Sequence, residues 1–346
     1  MSLLWFDGFE MYDNYIDLDK VYASLGGTTG SIANGRRGSK AWVPFNAINT
    51  ELPGNPQTIV FGAAVYAEGI EALSATDNDG ATRSLFKVQD VVSGNTHLYF
   101  QVNSDRLIVV KDSAWGVIGT TSGHTIEGNT WYYIEVKVTI SNTVGQVTIN
   151  VDGVERLSTA ADKDTCNGSN EYVGCVMFCR IYPINTRFDD YYICDTSGSK
   201  NNDFLGDIRV DILRPTANGA NSDFTPKSGS NYENVDETQG PDDDSTYNES
   251  NTLNHKDSYE MGDLTPLGST IYGAKSQITV RKTDAGAANM GHLVRTGGTD
   301  FVSGEYTLSD SFITYTRMME DDPSGEIEWT EDAINSGEVG LEIVSI

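Results

Sequence analysis

The alternation of apolar and polar residues along the chain predicts β-strands. In residues 131–140 the two kinds alternate one by one, which is the period of a strand with one buried face. Residues 146–151 repeat the pattern after a short turn, and Asp152-Gly153 then supplies two residues that tolerate positive φ. These segments predict a hairpin followed by a second reversal of the chain.

Comparable signals recur up to residue 213. Residues 97–102 and 106–111 flank Asn103-Ser104-Asp105 as another hairpin, and residues 188–194 read as a strand that Asp189-Asp190 interrupts. About seven short strands separated by turns are typical of an all-β sandwich or jelly roll. We therefore predict a β-sandwich domain over residues 1–213.

The character of the chain changes between residues 214 and 266. Branched apolar residues are few, and residues 233–263 contain ten acidic residues against one basic residue, Lys256. This composition predicts an acidic, extended connection, with Tyr232, Tyr247 and Tyr259 as anchors onto a domain surface. Strand signals return in residues 267–346, and Thr330 can cap a short helix there, so a smaller β-rich unit is expected.

Composition and charge narrow the range of partners. A chain of 346 residues is long enough for two compact units, and its 35 glycines suit frequent turns. The 23 basic and 50 acidic residues give a formal charge of −27, which repels nucleic acid and anionic membranes, so neither is expected as a partner. Simple solubility explains this charge, and binding of divalent cations is the alternative.

The amino-terminal residues give an expectation about where in the cell the protein is made. It has no basic segment and no apolar run of signal-peptide length, and nothing downstream is apolar enough to span a bilayer. We therefore expect synthesis in the cytoplasm without a signal peptide, and no membrane insertion. A role outside the cell would require lysis or a dedicated export route.

Cysteine and histidine give no support for zinc binding or nucleophilic catalysis. The four cysteines lack the paired Cys-x-x-Cys spacing of a zinc site, so they are interpreted as buried free thiols or as a disulfide formed after release. Their positions are Cys166, Cys175, Cys179 and Cys194. The four histidines are scattered, and the chain has no Gly-x-Ser-x-Gly elbow and no phosphate loop, so no cofactor is predicted from these residues.

Several segments resemble the laminin G-like, concanavalin A-like lectin jelly roll. They are Trp5-Phe6-Asp7-Gly8-Phe9-Glu10, Trp131-Tyr132-Tyr133-Ile134-Glu135, Val147-Thr148-Ile149-Asn150-Val151-Asp152-Gly153 and Phe188-Asp189-Asp190-Tyr191-Tyr192. The resemblance implies a β-sandwich of this type for the first part of the chain.

The rest of the chain resembles a pattern common in structural proteins of tailed phages and prophages. Its elements are Asp223-Phe224-Thr225-Pro226, Gly229-Ser230-Asn231-Tyr232, Val235-Asp236-Glu237, Asp242-Asp243-Asp244-Ser245-Thr246-Tyr247, Arg281-Lys282-Thr283-Asp284-Ala285-Gly286 and Trp329-Thr330-Glu331. The resemblance implies a virion protein, such as a head or tail decoration or a fibre, with other virion proteins as partners. It also implies a homo-oligomer, since such appendages are frequently trimers.

Sandwiches of this type include glycoside hydrolases, which need two carboxylates facing one bond. The Glu-x-Asp-x-Glu strand of the related glucanases is absent, and Asp189 and Asp190 would point to opposite faces of a regular strand, so no enzymatic activity is expected. Laminin G-like domains can hold calcium at the sandwich rim, and the resemblance therefore makes Asp189 and Asp190 candidate metal ligands. A solvated strand end or a backbone-capping role is the alternative.

Trp115 is the candidate for contact with a carbohydrate. It lies in Asp112-Ser113-Ala114-Trp115-Gly116, which reads as a loop after a strand, and an exposed ring there can stack on a sugar face. Packing is the alternative role for Trp115, whereas Trp42 and Trp131 are predicted to lie in the core.

Three hypotheses for the function follow. The first is a non-enzymatic structural component of a phage particle, a capsid or tail decoration, that uses a lectin-like sandwich for assembly and for contact with the host surface. The second is a carbohydrate-binding tail fibre or adhesin that recognises a host surface glycan. A glycan hydrolase is a third hypothesis, which the missing carboxylates disfavour.

Overall fold

The computed structural model describes residues 2–22, 30–45, 47–73, 83–182, 184–265, 268 and 270–346. The chain divides into two compact units, one formed by Met1–Glu10 with Asn14–Val210 and the other by Met11–Asp13 with Asp211–Ile346. In the described residues no helix has the length and apolar character needed to cross a membrane.

The first unit is built from short strands joined by turns. Its described strands are β1 (Leu3–Asp7), β2 (Gly30–Asn34), β3 (Lys40–Pro44), β4 (Ile48–Glu51), β5 (Thr58–Glu68), β6 (Ser84–Gln89), β7 (Thr96–Val102), β8 (Ile108–Asp112), β9 (Val117–Thr120), β10 (Trp131–Thr139), β11 (Gln146–Val151), β12 (Val154–Ser158), β13 (Cys175–Phe178) and β14 (Asn185–Asp195). A short helix, α1 (Tyr15–Asp19), begins after Asn14, whose side chain accepts a hydrogen bond from the Ile16 N–H.

These strands form two antiparallel sheets. Among the described residues, the first sheet has eight strands in the order β12-β11-β10-β5-β14-β3-β2, with β1 paired to β14. The second has six strands in the order β4-β13-β6-β7-β8-β9. The predicted all-β chain with a jelly-roll type of sandwich is confirmed.

The core lies between the inner faces of the two sheets and is rich in aromatic rings. Phe61 of β5 meets Phe86 of β6 edge to face at 5.3 Å between ring centroids. Phe178 of β13 lies 5.4 Å from Phe188 of β14, and Trp42 of β3 is fully buried beside Phe188. Such edge-to-face contacts add to the burial of the rings and fix how the two sheets face each other.

The outer face of β10 is covered where the sequence pattern predicts solvent. Glu135 is only 1% exposed, because the Tyr192 hydroxyl and the Gly206 N–H both donate to its carboxylate, at 2.5 and 2.8 Å. The Leu205 N–H donates in turn to the Tyr192 hydroxyl at 3.0 Å. The segment that follows β14 thus returns over the first sheet and buries a polar row.

The second unit is also β-rich. Its described strands are β15 (Pro215–Ser222), β16 (Thr225–Pro226), β17 (Asn248–Glu249), β18 (Lys256–Met261), β19 (Ala274–Val280), β20 (Asn289–Thr296), β21 (Thr299–Thr307), β22 (Ile313–Met319) and β23 (Glu338–Ser345). Five of them form a sheet in the order β15-β18-β23-β20-β21, while β16 pairs with β17 and β19 with β22. The helix α2 (Glu331–Asn335) starts at Thr330, which accepts from the Ala333 N–H as an N-cap.

Residues 214–266, which the composition assigned to a connection, supply strands to this second unit. β18 pairs along its length with β23, and β15 pairs with β18. Asn231 donates to both carboxylate oxygens of the buried Asp257, at 3.0 and 2.9 Å, and the Tyr259 hydroxyl donates to the same group at 2.7 Å. Apolar side chains are scarce in this segment, and hydrogen bonds between polar side chains hold it in place instead. Composition alone does not reveal such specific hydrogen bonds.

Candidate functional site

Trp115 lies at the tip of the turn between β8 and β9. The Asp112 side chain holds this turn, because its Oδ1 accepts from the N–H groups of Ala114 and Gly116, both at 2.8 Å. Trp115 has φ of 68°, in the left-handed region, and its side chain is 41% exposed. A non-glycine residue in this conformation costs roughly 1–2 kcal/mol, so the surrounding turn must impose it.

The ring of Trp115 stacks on Tyr99, which projects from β7. The ring centroids are 4.6 Å apart and the planes make an angle of 31°. The strand register sets Lys87 of β6 and Lys111 of β8 directly beside Tyr99. The Lys87 ammonium lies 5.7 Å from the Tyr99 ring centroid, and the Lys111 ammonium lies 5.9 Å from that of Trp115. We call these four residues the aromatic–lysine platform.

Three members of the platform, Lys87, Tyr99 and Lys111, belong to one transverse row on the outer face of the second sheet. Register pairs carry this row from β4 to β9, and its members are Asn49, Met177, Lys87, Tyr99, Lys111 and Val117. An aromatic surface can pack against the C–H face of a sugar ring, and ammonium groups can donate to its oxygens. The arrangement is therefore suited to holding a ligand that has both an apolar face and oxygen acceptors.

The platform lacks a pair of carboxylates for hydrolysis. No member of the described row is acidic, and the carboxylate of Asp112 is engaged by the backbone of its own turn. Cleavage of a glycosidic bond needs two carboxyl groups on either side of that bond. The described residues of this row and of the Asp112 turn do not form such a pair.

Asp189 and Asp190, the candidate calcium ligands, lie at a bulge in β14. The pairing of β14 with β5 shifts between Asp189 and Tyr192, and Asp190 has φ of 48°. A bulge changes the direction of the side chains that it contains. Both carboxylates consequently reach the turn that follows β2: Asp189 Oδ2 accepts from the Arg36 N–H at 2.7 Å, and Asp190 Oδ2 lies 3.7 Å from Arg37 Nη1. The expectation that they point to opposite faces, which assumed a regular strand, is wrong.

Protein donors occupy these two carboxylates. Asp189 also accepts from the Ser39 hydroxyl at 2.7 Å and from the Asp190 N–H at 2.8 Å, while Asp190 Oδ1 accepts from the Val210 N–H at 2.8 Å. The contacts with backbone N–H groups match the backbone-capping role that was the alternative to calcium binding by Asp189 and Asp190. Among the residues that the structure describes, no group of three or more His, Cys, Asp or Glu side chains is arranged to hold a metal ion.

Glu10 is a third carboxyl group in this region, and its burial and the charges of Asp189 and Asp190 affect its pKa. Burial raises its pKa to about 9, and the negative charge of Asp189 adds to the effect. Burial also raises the pKa of Asp189 to about 7, with the charge of Asp190 as the next cause. The Glu10 carboxyl group therefore favours its protonated form near neutral pH, and Asp189 lies close to the midpoint of its titration there.

The cysteines are free thiols in the described structure, and Cys175, Cys179 and Cys194 are buried. Burial raises the pKa of Cys175 to about 12 and that of Cys179 to about 11. Thiols with such values are poor nucleophiles. This agrees with the interpretation of Cys175 and Cys179 as buried packing residues.

The sequence analysis singled out Trp115 but missed its neighbours in the platform. Tyr99 and Lys111 lie at outward positions of predicted strands, so alternation alone could have given their face. Lys87 lies in β6, where no strand was predicted. The adjacency of these three residues depends on strand register. Trp131, predicted to be a core residue, is only partly buried and packs on Tyr66 at 5.3 Å, so the core prediction holds for Trp42 alone.

Comparisons with known proteins give structural likenesses at low identity. No protein-family model matches the chain, and no curated protein matches it. Domain 4 of AbnA, an extracellular arabinanase from Geobacillus stearothermophilus in complex with arabinotriose, is similar with a TM-score of 0.35 at 17% identity, over 56% of this chain and 92% of that domain. The carbohydrate-binding module CBM66 from Bacillus subtilis is similar with a TM-score of 0.31 at 11% identity, over 48% and 92%.

A phage protein is also among the similar structures. It is the carbohydrate esterase vb_24B_21 from the Shiga toxin-encoding bacteriophage phi24B, with a TM-score of 0.31 at 12% identity, over 49% of this chain and 87% of that one. In each of these three cases the likeness extends over about half of this chain.

Proposed function

We propose that the first unit is a non-catalytic carbohydrate-contact module that binds its ligand on the aromatic–lysine platform. The observation that carries this proposal is the stack of the exposed Trp115 on Tyr99 at 4.6 Å. A tryptophan left 41% exposed at a turn leaves part of its apolar surface in water. Covering that surface with the C–H face of a sugar recovers about 25 cal/mol for each square ångström removed from water.

The turn supports this proposal because it fixes the ring before a ligand arrives. Trp115 is in the left-handed region, and the Asp112 side chain and the Tyr99 ring restrain it from two sides. A Cβ atom at residue 116 would lie 2.5 Å from Asp112 Oδ2, so a larger residue there would displace the side chain that holds the turn. A ring that is already ordered loses little conformational entropy on binding, which improves affinity without further contacts.

The direct test is a glycan array and a titration with any oligosaccharide that binds. Trp115→Ala is expected to lower the affinity for that oligosaccharide by roughly 5- to 150-fold, because stacking of a ring on an aromatic side chain contributes on the order of 1–3 kcal/mol. Trp115→Phe keeps a smaller ring and should retain part of the affinity. Trp131→Ala is the matched control, since Trp131 also stacks on a tyrosine, Tyr66, but on the other sheet.

Equal binding by the wild type and Trp115→Ala, with unchanged urea midpoints, would show that the platform is not the binding surface. A wild-type protein that binds no oligosaccharide of the array would refute the carbohydrate role itself. A loss of binding in Trp131→Ala would move the site to the first sheet.

We further propose that the protein is a structural component of a phage particle. Support comes from the ordered series of segments between Asp223 and Glu331 that resembles phage structural proteins. Quantitative mass spectrometry of purified particles distinguishes the two forms of this proposal. Hundreds of copies indicate a capsid decoration, whereas a few copies in multiples of three or six indicate a tail fibre or adhesin. Absence from particles would overturn both.

The absence of catalysis is part of the proposal and has its own test. At the platform, the described row contains no acidic side chain that could protonate a leaving group or activate water. We expect no release of reducing ends when the protein is incubated with the polysaccharide that it binds. Release that continues in a Trp115→Ala variant would show a catalytic site elsewhere in the chain.

A further inference from the structure

We infer that the platform prefers sugars that carry a carboxylate over their neutral counterparts. This inference rests on the proposed carbohydrate role and goes beyond it by naming the chemical class of the ligand. Its basis is the position of two lysines, Lys87 and Lys111, on either side of the aromatic pair.

The geometry places the two positive charges on opposite sides of Tyr99. Lys87 and Lys111 are both register partners of Tyr99, so their backbones are two strand spacings apart, about 10 Å. Their ammonium groups lie near different rings, 5.7 Å from the Tyr99 centroid and 5.9 Å from the Trp115 centroid. A sugar ring lying on the aromatic surface would therefore have a cation within reach of either edge.

Both lysines are available for a ligand. In the described part of the chain neither ammonium group forms an ion pair or hydrogen bond, and their described contacts are with the rings of Tyr99 and Trp115. Lys137, on the first sheet, differs from these two lysines, since it pairs with Asp203 at 3.2 Å.

The charge pattern favours an isolated carboxylate over a nucleic acid. A formal charge of −27 repels a polyanion as it approaches, and two lysines are too few to offset many phosphates. Screening limits this repulsion to roughly 8 Å at physiological salt, so one carboxylate within a largely neutral saccharide can still reach the platform. The expected ligand is thus a glycan with occasional acidic sugars.

The experiment uses the full-length protein and a glycan array that contains each acidic oligosaccharide beside its methyl ester. Esterification removes the charge and keeps the ring, so the ratio of the two affinities isolates the contribution of the carboxylate. We expect the wild type to prefer the free acid, and Lys87→Gln and Lys111→Gln each to reduce that preference by about two- to fivefold at low salt. Lys137→Gln is the matched control and should leave it unchanged.

The outcomes separate this inference from the proposed function. If the wild type binds acids and esters equally, or if both lysine variants keep the full preference, the inference is wrong while the carbohydrate role stands. If Trp115→Ala and the lysine variants all bind like the wild type, the platform is not the site and both proposals fail. Loss of the acid preference in the lysine variants, with ester binding retained, supports the inference.

Discussion

The stability of the first unit should fall as the pH rises, because it contains carboxyl groups that are easier to protonate when folded. Burial and the charge of Asp189 raise the pKa of Glu10 from 4.5 to about 9, and burial and the charge of Asp190 raise that of Asp189 from 3.8 to about 7. When the pH lies between the ordinary pKa of a group (the lower value) and its raised pKa in the folded state (the upper value), the folded state binds more protons than the unfolded state. The stabilising contribution is therefore complete below the lower value and is lost as the pH rises through the upper one.

The size of the effect follows from the number of protons involved. One proton held by the folded state and not by the unfolded state changes the free energy of unfolding by about 1.4 kcal/mol per pH unit. For Glu10, whose upper value is about 9, the loss over the roughly three units from pH 5 to pH 8 is at most about 4 kcal/mol. Asp189 adds to the slope below its upper value of about 7.

Urea unfolding followed by tryptophan fluorescence measures this slope. The signal reports mainly on the first unit, because it contains Trp5, Trp42, Trp115 and Trp131, four of the five tryptophans. Glu10→Gln should flatten the dependence on pH and stabilise the protein most at the alkaline end. Glu155→Gln, at an exposed position of β12, is the matched control.

Below about pH 7 the lowered pKa values of His97 and His124 add a slope of the opposite sign, so the decisive range lies above it. A free energy of unfolding that is constant or rises from about pH 7 to about pH 8.5 would refute this reasoning, since the raised pKa of Glu10 requires a fall there. A slope that persists unchanged in Glu10→Gln would mean that other groups cause it. In either case the carboxyl groups near β14 would not have the environment described above.

Two further predictions concern the neighbouring features. Asp189 and Asp190 accept hydrogen bonds from the protein, so the urea midpoint should be the same with millimolar calcium and with a chelator. A higher midpoint with calcium, abolished in Asp189→Asn, would instead support the calcium ligation by Asp189 and Asp190 that the sequence resemblance implies. Asp112→Ala removes the acceptor of the Ala114 and Gly116 N–H groups, so it should weaken glycan binding about as much as Trp115→Ala while lowering stability by only about 1 kcal/mol. Asp112→Asn keeps an oxygen in that place and should restore binding, and a failure to do so would show that the turn does not act through these two hydrogen bonds.

The local sequence predicted the elements of the fold well because their signals are short-range. Alternation in β10 and β11 and the Asp152-Gly153 turn depend only on adjacent residues, and the structure contains that hairpin. The segment around Asn231 was harder to place, because its order depends on hydrogen bonds to Asp257, which lies 26 residues further along the chain. Composition gives the average character of such a segment and does not identify specific hydrogen-bond partners.

The amino-acid sequence by itself determined that this chain is β-rich, that Trp115 lies in a turn, and that its net charge is strongly negative. Only the tertiary structure decided that Tyr99 lies under Trp115 between two lysines, and that Asp189 and Asp190 reach the same turn. The physical reason is that strand register and bulges are fixed by packing and pairing across the whole sandwich, whereas the periodicity of a single strand gives only the face on which a side chain lies.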